Sequence, residues 1–169
     1  MKKYDITKPV KISVGMHKLN DDPGISFQLN RLVSMDGCDL SVAREVGSSI
    51  KTAADFYGAL KARADTELEN GCIKNAAALY RMSEFYADWE DPDGLAAWKK
   101  ARELFFQYYA DFFSGERPLV ELVSVPYEGY SMPTLKFNAE APKGVIVMHG
   151  GFDSSYEEFF SECEYLSEH

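Results

Sequence analysis

Between residues 22 and 114, apolar side chains recur every three or four positions, which is the spacing of α-helices. Asp22-Pro23 and Asp91-Pro92 both indicate helix starts, because a capping carboxylate precedes a proline whose missing N–H costs nothing in a first turn. Asn70-Gly71 indicates a helix end, since glycine accepts the left-handed conformation found after helix C-termini. The pattern therefore predicts a helical region divided by short connections.

Five helices are predicted in this region. The first starts at Asp22-Pro23, and the others run from Asp39 or Ser41 to Ile50, from Ala53 to Asn70, from about Lys74 to Trp89, and from Asp91-Pro92 through Phe112 to Ser114-Gly115. The fourth helix is rich in alanine and carries aromatic residues on more than one side. We therefore expect it to lie at the centre of the helical region.

Beyond residue 117 the apolar period shortens towards two, which is typical of strands. Leu119–Val125 and Ser131–Phe137 are predicted strands around the turn Pro126–Tyr130. Pro133 lies inside the second strand and predicts either an edge strand or a bulge, because proline cannot donate a hydrogen bond to a neighbouring strand.

A third strand and a last helix are predicted after this hairpin. Val145–Met148 is apolar without alternation, as expected of a strand covered on both faces. Ser154 and Glu157 have the spacing of a capping box for a helix from about Ser155 to Ser167.

The predicted fold class is α+β to α/β, with an N-terminal helical-hairpin domain before the first strands and first helix of an α/β sheet. We divide the chain into a polar arm over residues 1–20, a helical domain over 21–116 and a truncated α/β domain over 117–169. Within the arm, Val10–Val14 alternates weakly, and a short strand and an ordered arm both fit this pattern.

Composition restricts the partners. The net charge of −9 argues against nucleic acid, because phosphate binding needs a basic surface. The sequence contains no run of eighteen apolar residues, so it predicts no membrane span. The first residues lack the apolar core of a signal peptide, and we therefore expect cytoplasmic residence. Cys38, Cys72 and Cys163 are widely spaced and fit neither a disulfide framework nor a zinc site. We expect no metal and no cofactor.

The most informative motif is His149-Gly150-Gly151-Phe152, where an apolar run ends and a helix follows at once. Attack on a carbonyl places negative charge on its oxygen, and fixed backbone N–H donors at that position stabilise the charge. Two glycines let the backbone turn sharply and approach a substrate without a side chain in the way. The alternative is a plain strand-to-helix turn that needs glycine for its geometry alone.

Three blocks of the sequence carry a family resemblance, and they are Phe27–Leu32, Asn75–Tyr86 and, most specifically, Pro126–Tyr130 with Gly144–Glu158. From about Ile25 onward the chain resembles the α/β-hydrolases that carry an N-terminal helical domain. This group includes dihydroxypseudooxynicotine hydrolase and the esterases similar to the fermentation–respiration switch protein.

The resemblance implies a serine hydrolase that cleaves an ester, amide or activated C–C bond, with its Ser, Asp and His following the oxyanion strand in that order. It places the oxyanion donors on the backbone of Gly151 and Phe152, supported by His149 and Gly150. His149 precedes the nucleophile position, so it braces the turn and is not the triad histidine. The family's Gly-x-Ser-x-Gly motif, acid and base have no counterpart here. We therefore expect this chain alone to be inactive.

Other candidate residues are weaker. Ser154 and Ser155 belong to a helix cap, and Ser48–Lys51 matches the short Ser-x-x-Lys pattern only on a predicted exposed helix face. The family's helical domain covers its active site, so the aromatic side chains of Tyr80, Tyr86 and Trp89 could line a substrate pocket. Simple packing of the helical core is the alternative for these residues.

The family strand order implies that Val145–Met148 lacks a neighbouring strand in this chain, which leaves unpaired backbone and apolar side chains exposed. We therefore expect a homo-oligomer formed through the C-terminal third. For the complete enzyme the expected partner is a small-molecule ester, amide or ketone. The alternative function is a non-catalytic helical interaction or dimerisation module with a vestigial hydrolase segment.

Overall fold

A computed structural model describes residues 16–34, 37–88, 90–116 and 118–168 of the chain. These residues form a mixed α+β structure in which five helices precede a two-stranded antiparallel sheet and a sixth helix follows it. The helices are α1 (Pro23–Val33), α2 (Leu40–Ser49), α3 (Ala53–Glu69), α4 (Ile73–Ser83), α5 (Pro92–Tyr108) and α6 (Phe160–Glu168). The strands are β1 (Val120–Tyr127) and β2 (Tyr130–Phe137). The prediction of helices followed by strands is confirmed.

Two compact units make up the described chain, a helical unit that ends at Tyr108 and a C-terminal unit that begins at Tyr109. The helical unit contains α1 to α5. The C-terminal unit contains the sheet, α6 and the candidate oxyanion turn between them.

The predicted helix signals act as expected. The Asp22 carboxylate accepts hydrogen bonds from the backbone N–H groups of Gly24 at 2.8 Å and Ile25 at 3.0 Å, which caps α1. A further cap, which was not predicted, lies at the start of α3, where the Asp55 carboxylate accepts a hydrogen bond from the Thr52 N–H at 2.9 Å. Gly71 follows the end of α3 with φ of +76°, the left-handed conformation that favours glycine.

Two predicted helices are longer than the observed ones. The fourth ends at Ser83 and tightens into a 3-10 turn over Glu84–Tyr86, so its predicted extension to Trp89 is wrong. The fifth ends at Tyr108, and Ala110–Phe113 forms a separate 3-10 turn. Tightening of this kind gives hydrogen-bond partners to carbonyls that the end of an α-helix leaves unpaired, and apolar periodicity does not reveal it.

The core of the helical unit forms around α4, which packs against α3, α5 and α1. Phe56, Leu60 and Leu79 are completely buried there. Burial of each such side chain contributes about 1.5–3 kcal/mol to folding. The prediction that the fourth helix is central is confirmed.

A polar network links α2, α3 and α4, and it is buried at Glu67 and Asn75 but exposed at Asp39 and Glu45. The Asn75 amide donates to the carboxylates of Glu67 at 2.9 Å and Asp39 at 3.0 Å. Arg63 donates to Glu67 at 2.9 Å and to Glu45 at 2.6 Å. Buried charge is tolerated here because these groups hydrogen-bond one another, and we assign the network to stability.

The sheet is a regular hairpin. Its two-residue turn has positive φ at both Glu128 (46°) and Gly129 (83°), as in the type I′ turn that matches the twist of antiparallel strands. Register is unbroken from Tyr127 opposite Tyr130 to Val120 opposite Phe137. Pro133 therefore lies in an edge strand without a bulge, which settles the two alternatives that the sequence left open.

The same register places both prolines of the hairpin at its edges. A two-residue turn makes Tyr127 and Tyr130 a hydrogen-bonded pair, and hydrogen-bonded and non-hydrogen-bonded pairs then alternate along the strands. Pro126 and Pro133 consequently fall at non-hydrogen-bonded positions, where backbone N–H groups point away from the partner strand. Each outer edge of the hairpin thus lacks one N–H donor.

Two predictions in the last part of the chain are wrong. Val145–Met148 forms no strand in the described structure, because no neighbouring strand lies there to pair with it. The capping interaction before the last helix is shifted by one residue, since the Ser155 N–H donates to the Glu158 carboxylate at 3.0 Å. A 3-10 turn over Tyr156–Phe159 then leads into α6.

Candidate functional site

The apolar segment Val145–Met148 leads into the turn in an extended form. Its exposed fractions alternate, at 92% for Val145, 69% for Ile146, 85% for Val147 and 39% for Met148. Side chains of an extended chain point to opposite sides in turn, so Ile146 and Met148 face the protein more than their neighbours do. The Met148 sulfur lies 3.7 Å from the Cys163 sulfur of α6, which anchors the end of the segment.

Gly150 occupies a position where the surrounding atoms exclude a side chain. A Cβ at this residue would collide with the Ser154 Cβ and lie 2.9 Å from the Ser154 Oγ and 3.0 Å from the Phe159 Cε2. The glycine at position 150 is therefore required by close packing. Sequence reasoning predicted the need for glycine but not the contacts with Ser154 and Phe159, since these depend on how the following turn folds back.

Gly151 has a different environment. The nearest atom to a Cβ built there is the Asp153 Oδ1, at 3.9 Å. The Gly151 carbonyl accepts a hydrogen bond from the Ser154 N–H at 3.3 Å, which closes the turn. The second glycine thus leaves one side of the backbone open to an approaching molecule.

His149 fixes the direction of one peptide group in the turn. Its Nδ1 lies 2.9 Å from the Gly150 carbonyl oxygen, which can only accept, so Nδ1 carries the proton in this arrangement. A peptide group is planar and trans, so its C=O and N–H point in opposite directions. By holding the Gly150 carbonyl, the imidazole therefore also orients the Gly151 N–H.

The two N–H groups proposed from sequence as oxyanion donors are available. Within the described residues, neither Gly151 nor Phe152 donates its backbone N–H to a protein acceptor. The Phe152 side chain is fully exposed. The turn can consequently offer two backbone donors to a ligand.

Neither serine of the cap has the surroundings of a nucleophile. The Ser154 side chain packs against Gly150. The Ser155 Oγ is buried and makes no hydrogen bond to any described residue. In the part of the chain that the structure describes, no histidine hydrogen-bonds either hydroxyl, so nothing there activates them.

The Ser48–Lys51 pair is structural. The Lys51 ammonium donates to the Ser48 backbone carbonyl at 2.9 Å and does not contact the Ser48 hydroxyl. That hydroxyl instead donates to the Glu45 carbonyl at 2.7 Å. Both side chains thus satisfy carbonyls near the end of α2.

The aromatic residues proposed for a substrate pocket have packing partners. Tyr80 is buried, and its hydroxyl donates to the Asp65 carboxylate. Burial, together with this hydrogen bond, raises the pKa of Tyr80 to about 12. Tyr86 is partly exposed and packs edge-on against Phe56, with ring centroids 4.9 Å apart. Trp89 lies outside the described residues.

The thiols differ in exposure. Burial raises the pKa of the Cys38 thiol to about 12, so it stays protonated at neutral pH. Burial also raises the pKa of Cys163, whereas Cys72 is exposed. Among the described residues, no group of three or more His, Cys, Asp and Glu side chains is arranged to hold a metal ion.

A groove of about 800 Å³ lies in the C-terminal unit, at the start of the extended segment. Its lining includes Val120 and Phe137 from the sheet, Ile146 from the extended segment and Leu166 from α6. Its charged lining residues are Glu140, Lys143, Glu164 and Glu168. It is an apolar depression with an acidic component.

Comparison with known proteins provides no family assignment, because no protein-family model, curated protein or solved structure matches the chain. The described helices include none that is both long enough and apolar enough to cross a membrane.

Proposed function

We propose that Gly144–Glu158 is the oxyanion segment of a serine-type α/β-hydrolase with an N-terminal helical domain, acting on an ester, amide or activated C–C bond. The observation that carries this proposal is the difference between the surroundings of Gly150 and those of Gly151. Gly150 is packed against Ser154 and Phe159, whereas Gly151 is open and keeps its N–H available. A plain turn needs the first property but not the second.

The chemistry follows from this geometry. One backbone donor aimed at a developing oxyanion lowers a reaction barrier by about 2.7–4 kcal/mol. Gly151 and Phe152 supply donors, and His149 orients the Gly151 N–H through the shared peptide group. The nucleophile, the acid and the general base would come from outside these 169 residues, since the sequence contains no Gly-x-Ser-x-Gly motif.

The coding sequence downstream of His169 tests this proposal most directly. An in-frame continuation with a strand, a Gly-x-Ser-x-Gly motif and later Asp and His residues supports the hydrolase. A stop codon directly after His169 supports the alternative, a non-catalytic helical interaction module with a vestigial hydrolase segment.

The purified 169-residue chain is expected to show no turnover of p-nitrophenyl esters above the buffer rate. Oxyanion donors alone lack a nucleophile, and among the described residues no base hydrogen-bonds the hydroxyl of Ser154 or Ser155. The measurement is p-nitrophenol release, with and without a serine-directed inhibitor. Hydrolysis that the inhibitor abolishes would show that a serine of this chain is the nucleophile, and the assignment of the triad would then be wrong.

We also propose that the chain self-associates through its C-terminal third. One candidate surface is Val145–Met148, which is largely exposed. A second is one face of the hairpin tip, where the exposed side chains of Val125, Tyr127, Tyr130 and Met132 are cross-strand neighbours. Contiguous exposed apolar patches of this kind mark interaction surfaces.

Light scattering at micromolar concentration is expected to give a mass of at least a dimer. Replacing both tip tyrosines (Tyr127→Ser with Tyr130→Ser) should return the chain to a monomer if the tip carries the contact. Tyr108→Ser, at an exposed tyrosine of the helical unit, is the matched control and should leave the mass unchanged. A monodisperse wild-type monomer contradicts the proposal.

A further inference from the structure

The two faces of the hairpin differ in how far they are covered. Val120 and Phe137 are register partners and therefore lie on the same face. On that face Val120 is almost completely buried, and the Phe137 ring packs against Phe160 of α6 with ring centroids 5.1 Å apart. We call the opposite face, which carries the odd-numbered residues of β1, the outer face. Most of its large apolar side chains are exposed.

The outer face is apolar towards the turn and charged only at its base. It consists of four cross-strand pairs, and the three nearest the turn carry no charge: Tyr127–Tyr130, Val125–Met132 and Val123–Thr134. The fourth pair is Glu121–Lys136, in which the ammonium and the carboxylate lie 3.0 Å apart and both side chains are exposed. A surface that fits the outer face must therefore be apolar at one end and carry charges of both signs at the other.

The opposite face is less suited to such a contact. Leu122 is exposed there, but the hydroxyl groups of Ser124 and Ser131 lie between it and the turn and hydrogen-bond each other. Apolar contact is thus interrupted by a polar pair. The outer face is uninterrupted from Val123 to the tip.

A second copy of the outer face meets the requirement in only one of two possible two-fold arrangements. When the axis runs across the strands, the tip of one hairpin lies over the base of the other, and apolar side chains meet charges. When the axis runs along the strands, tip lies over tip, and β1 of one copy lies over β2 of the other. Each residue then faces the second copy of its own register partner.

This second arrangement matches the side chains by kind. Tyr127 faces Tyr130 of the second copy, and Val125 faces Met132. At the base, Glu121 faces Lys136 of the second copy, so four charges of alternating sign lie together. Stacked sheets cross at about 30° because of their twist, and the long Lys136 side chain can reach across that offset.

We propose that two copies of the chain stack their outer faces tip over tip, about a two-fold axis parallel to the strands. The proposal rests on the self-association proposed above and specifies its surface and its geometry. The apolar pairs provide the contact area, and the facing Glu121 and Lys136 side chains fix the direction, since like charges at an interface oppose binding.

NMR on a mixed sample of isotope-labelled and unlabelled full-length chains tests the geometry without any substitution. Isotope-filtered spectra record only contacts between different copies. We expect nuclear Overhauser effects between Val125 of one copy and Met132 of the other. Contacts between Val125 and Val123 of the second copy would instead show that tip lies over base, and the proposal would be wrong.

Charge reversal tests the contact at the base. Glu121→Lys gives four facing lysines and Lys136→Glu gives four facing glutamates, so each variant should raise the dimer dissociation constant by about tenfold or more. An equal mixture of the two variants should form a mixed dimer, because opposite charges then face each other. Sedimentation measures the masses and dissociation constants. Lys100→Glu, in the exposed Lys100–Glu103 ion pair of the helical unit, is the matched control and should leave dimerisation unchanged.

The outcomes separate this proposal from the one on which it rests. A monomeric wild-type chain overturns both. A wild-type dimer that lacks the Val125–Met132 contact between copies overturns the stacked geometry and leaves self-association standing. Folded charge-reversal variants that dimerise as the wild type does also overturn it. If a variant loses the sheet signals of the hairpin, the contacts in the wild-type sample decide.

Discussion

Gly150→Ala is expected to lower the free energy of unfolding of the C-terminal unit by about 1–3 kcal/mol, the usual cost of forcing an extra methyl group into a packed site. The new methyl group would meet the Ser154 side chain and the Phe159 ring, and the turn would have to open to accept it. In a complete hydrolase, the same shift would also displace the Gly151 N–H. Urea unfolding monitored by NMR signals of residues 120–137 measures the change.

Gly151→Ala is the matched control, because the nearest atom to its added Cβ is 3.9 Å away. Its φ is not in the left-handed region, so alanine can adopt the same backbone conformation. The stability should stay within about 0.5 kcal/mol of the wild type or rise slightly, since alanine restricts the unfolded chain. Equal losses for the two variants would show that the packing around Gly150 is not what requires glycine.

Phe160→Ala is expected to have the largest effect on stability, a loss of about 3–5 kcal/mol. Phe160 is only 1% exposed, and its ring packs against Tyr109, Phe112 and Phe137 at centroid distances of 4.0, 5.3 and 5.1 Å. It is the centre of the aromatic cluster that joins α6 to the sheet. A unit of this size has a total stability of the same order, so the variant should leave it largely unfolded.

Spectroscopy can assign this loss to one unit. Both tryptophans precede Tyr109 in the chain, so tryptophan fluorescence reports on the helical part and NMR signals of the sheet report on the C-terminal unit. Phe160→Ala should remove the sheet signals and leave the fluorescence transition in place. Phe152→Ala, at a fully exposed ring, should change neither. Simultaneous loss of both signals would mean that the two units fold as one.

The sequence predicts the helices well because their ends carry local chemistry. Asp22-Pro23 and Asn70-Gly71 act within a few residues, so reading the neighbouring positions is enough. The end of α4 at Ser83 is different. The apolar pattern continues past it through Phe85 and Tyr86, and only tertiary packing turns Glu84–Tyr86 into a 3-10 turn.

The candidate site shows the same division between local and distant causes. The turn at its glycines can be predicted from the sequence because glycine adopts backbone conformations that other residues rarely adopt. The residues that pack against Gly150 cannot be predicted in this way. Ser154 and Phe159 reach it only through a helix cap that begins one residue later than predicted. The strand predicted at Val145–Met148 fails for a related reason. A strand forms only when a second strand pairs with it, and in the part of the chain that the structure describes none is paired with this segment.

The positions of the two prolines in the hairpin also bear on how the protein behaves at high concentration. Intermolecular sheets grow by repeated addition of strands to a continuous edge. Pro126 removes an outward-pointing N–H group beside the turn on one edge of the hairpin, and Pro133 removes one from the middle of the other edge, which shortens the continuous edge available for such growth. The apolar stretch from Gly144 to Met148 has no charge and no proline. This short stretch should therefore contribute to aggregation of the partly unfolded chain, and a charged residue placed there should reduce it.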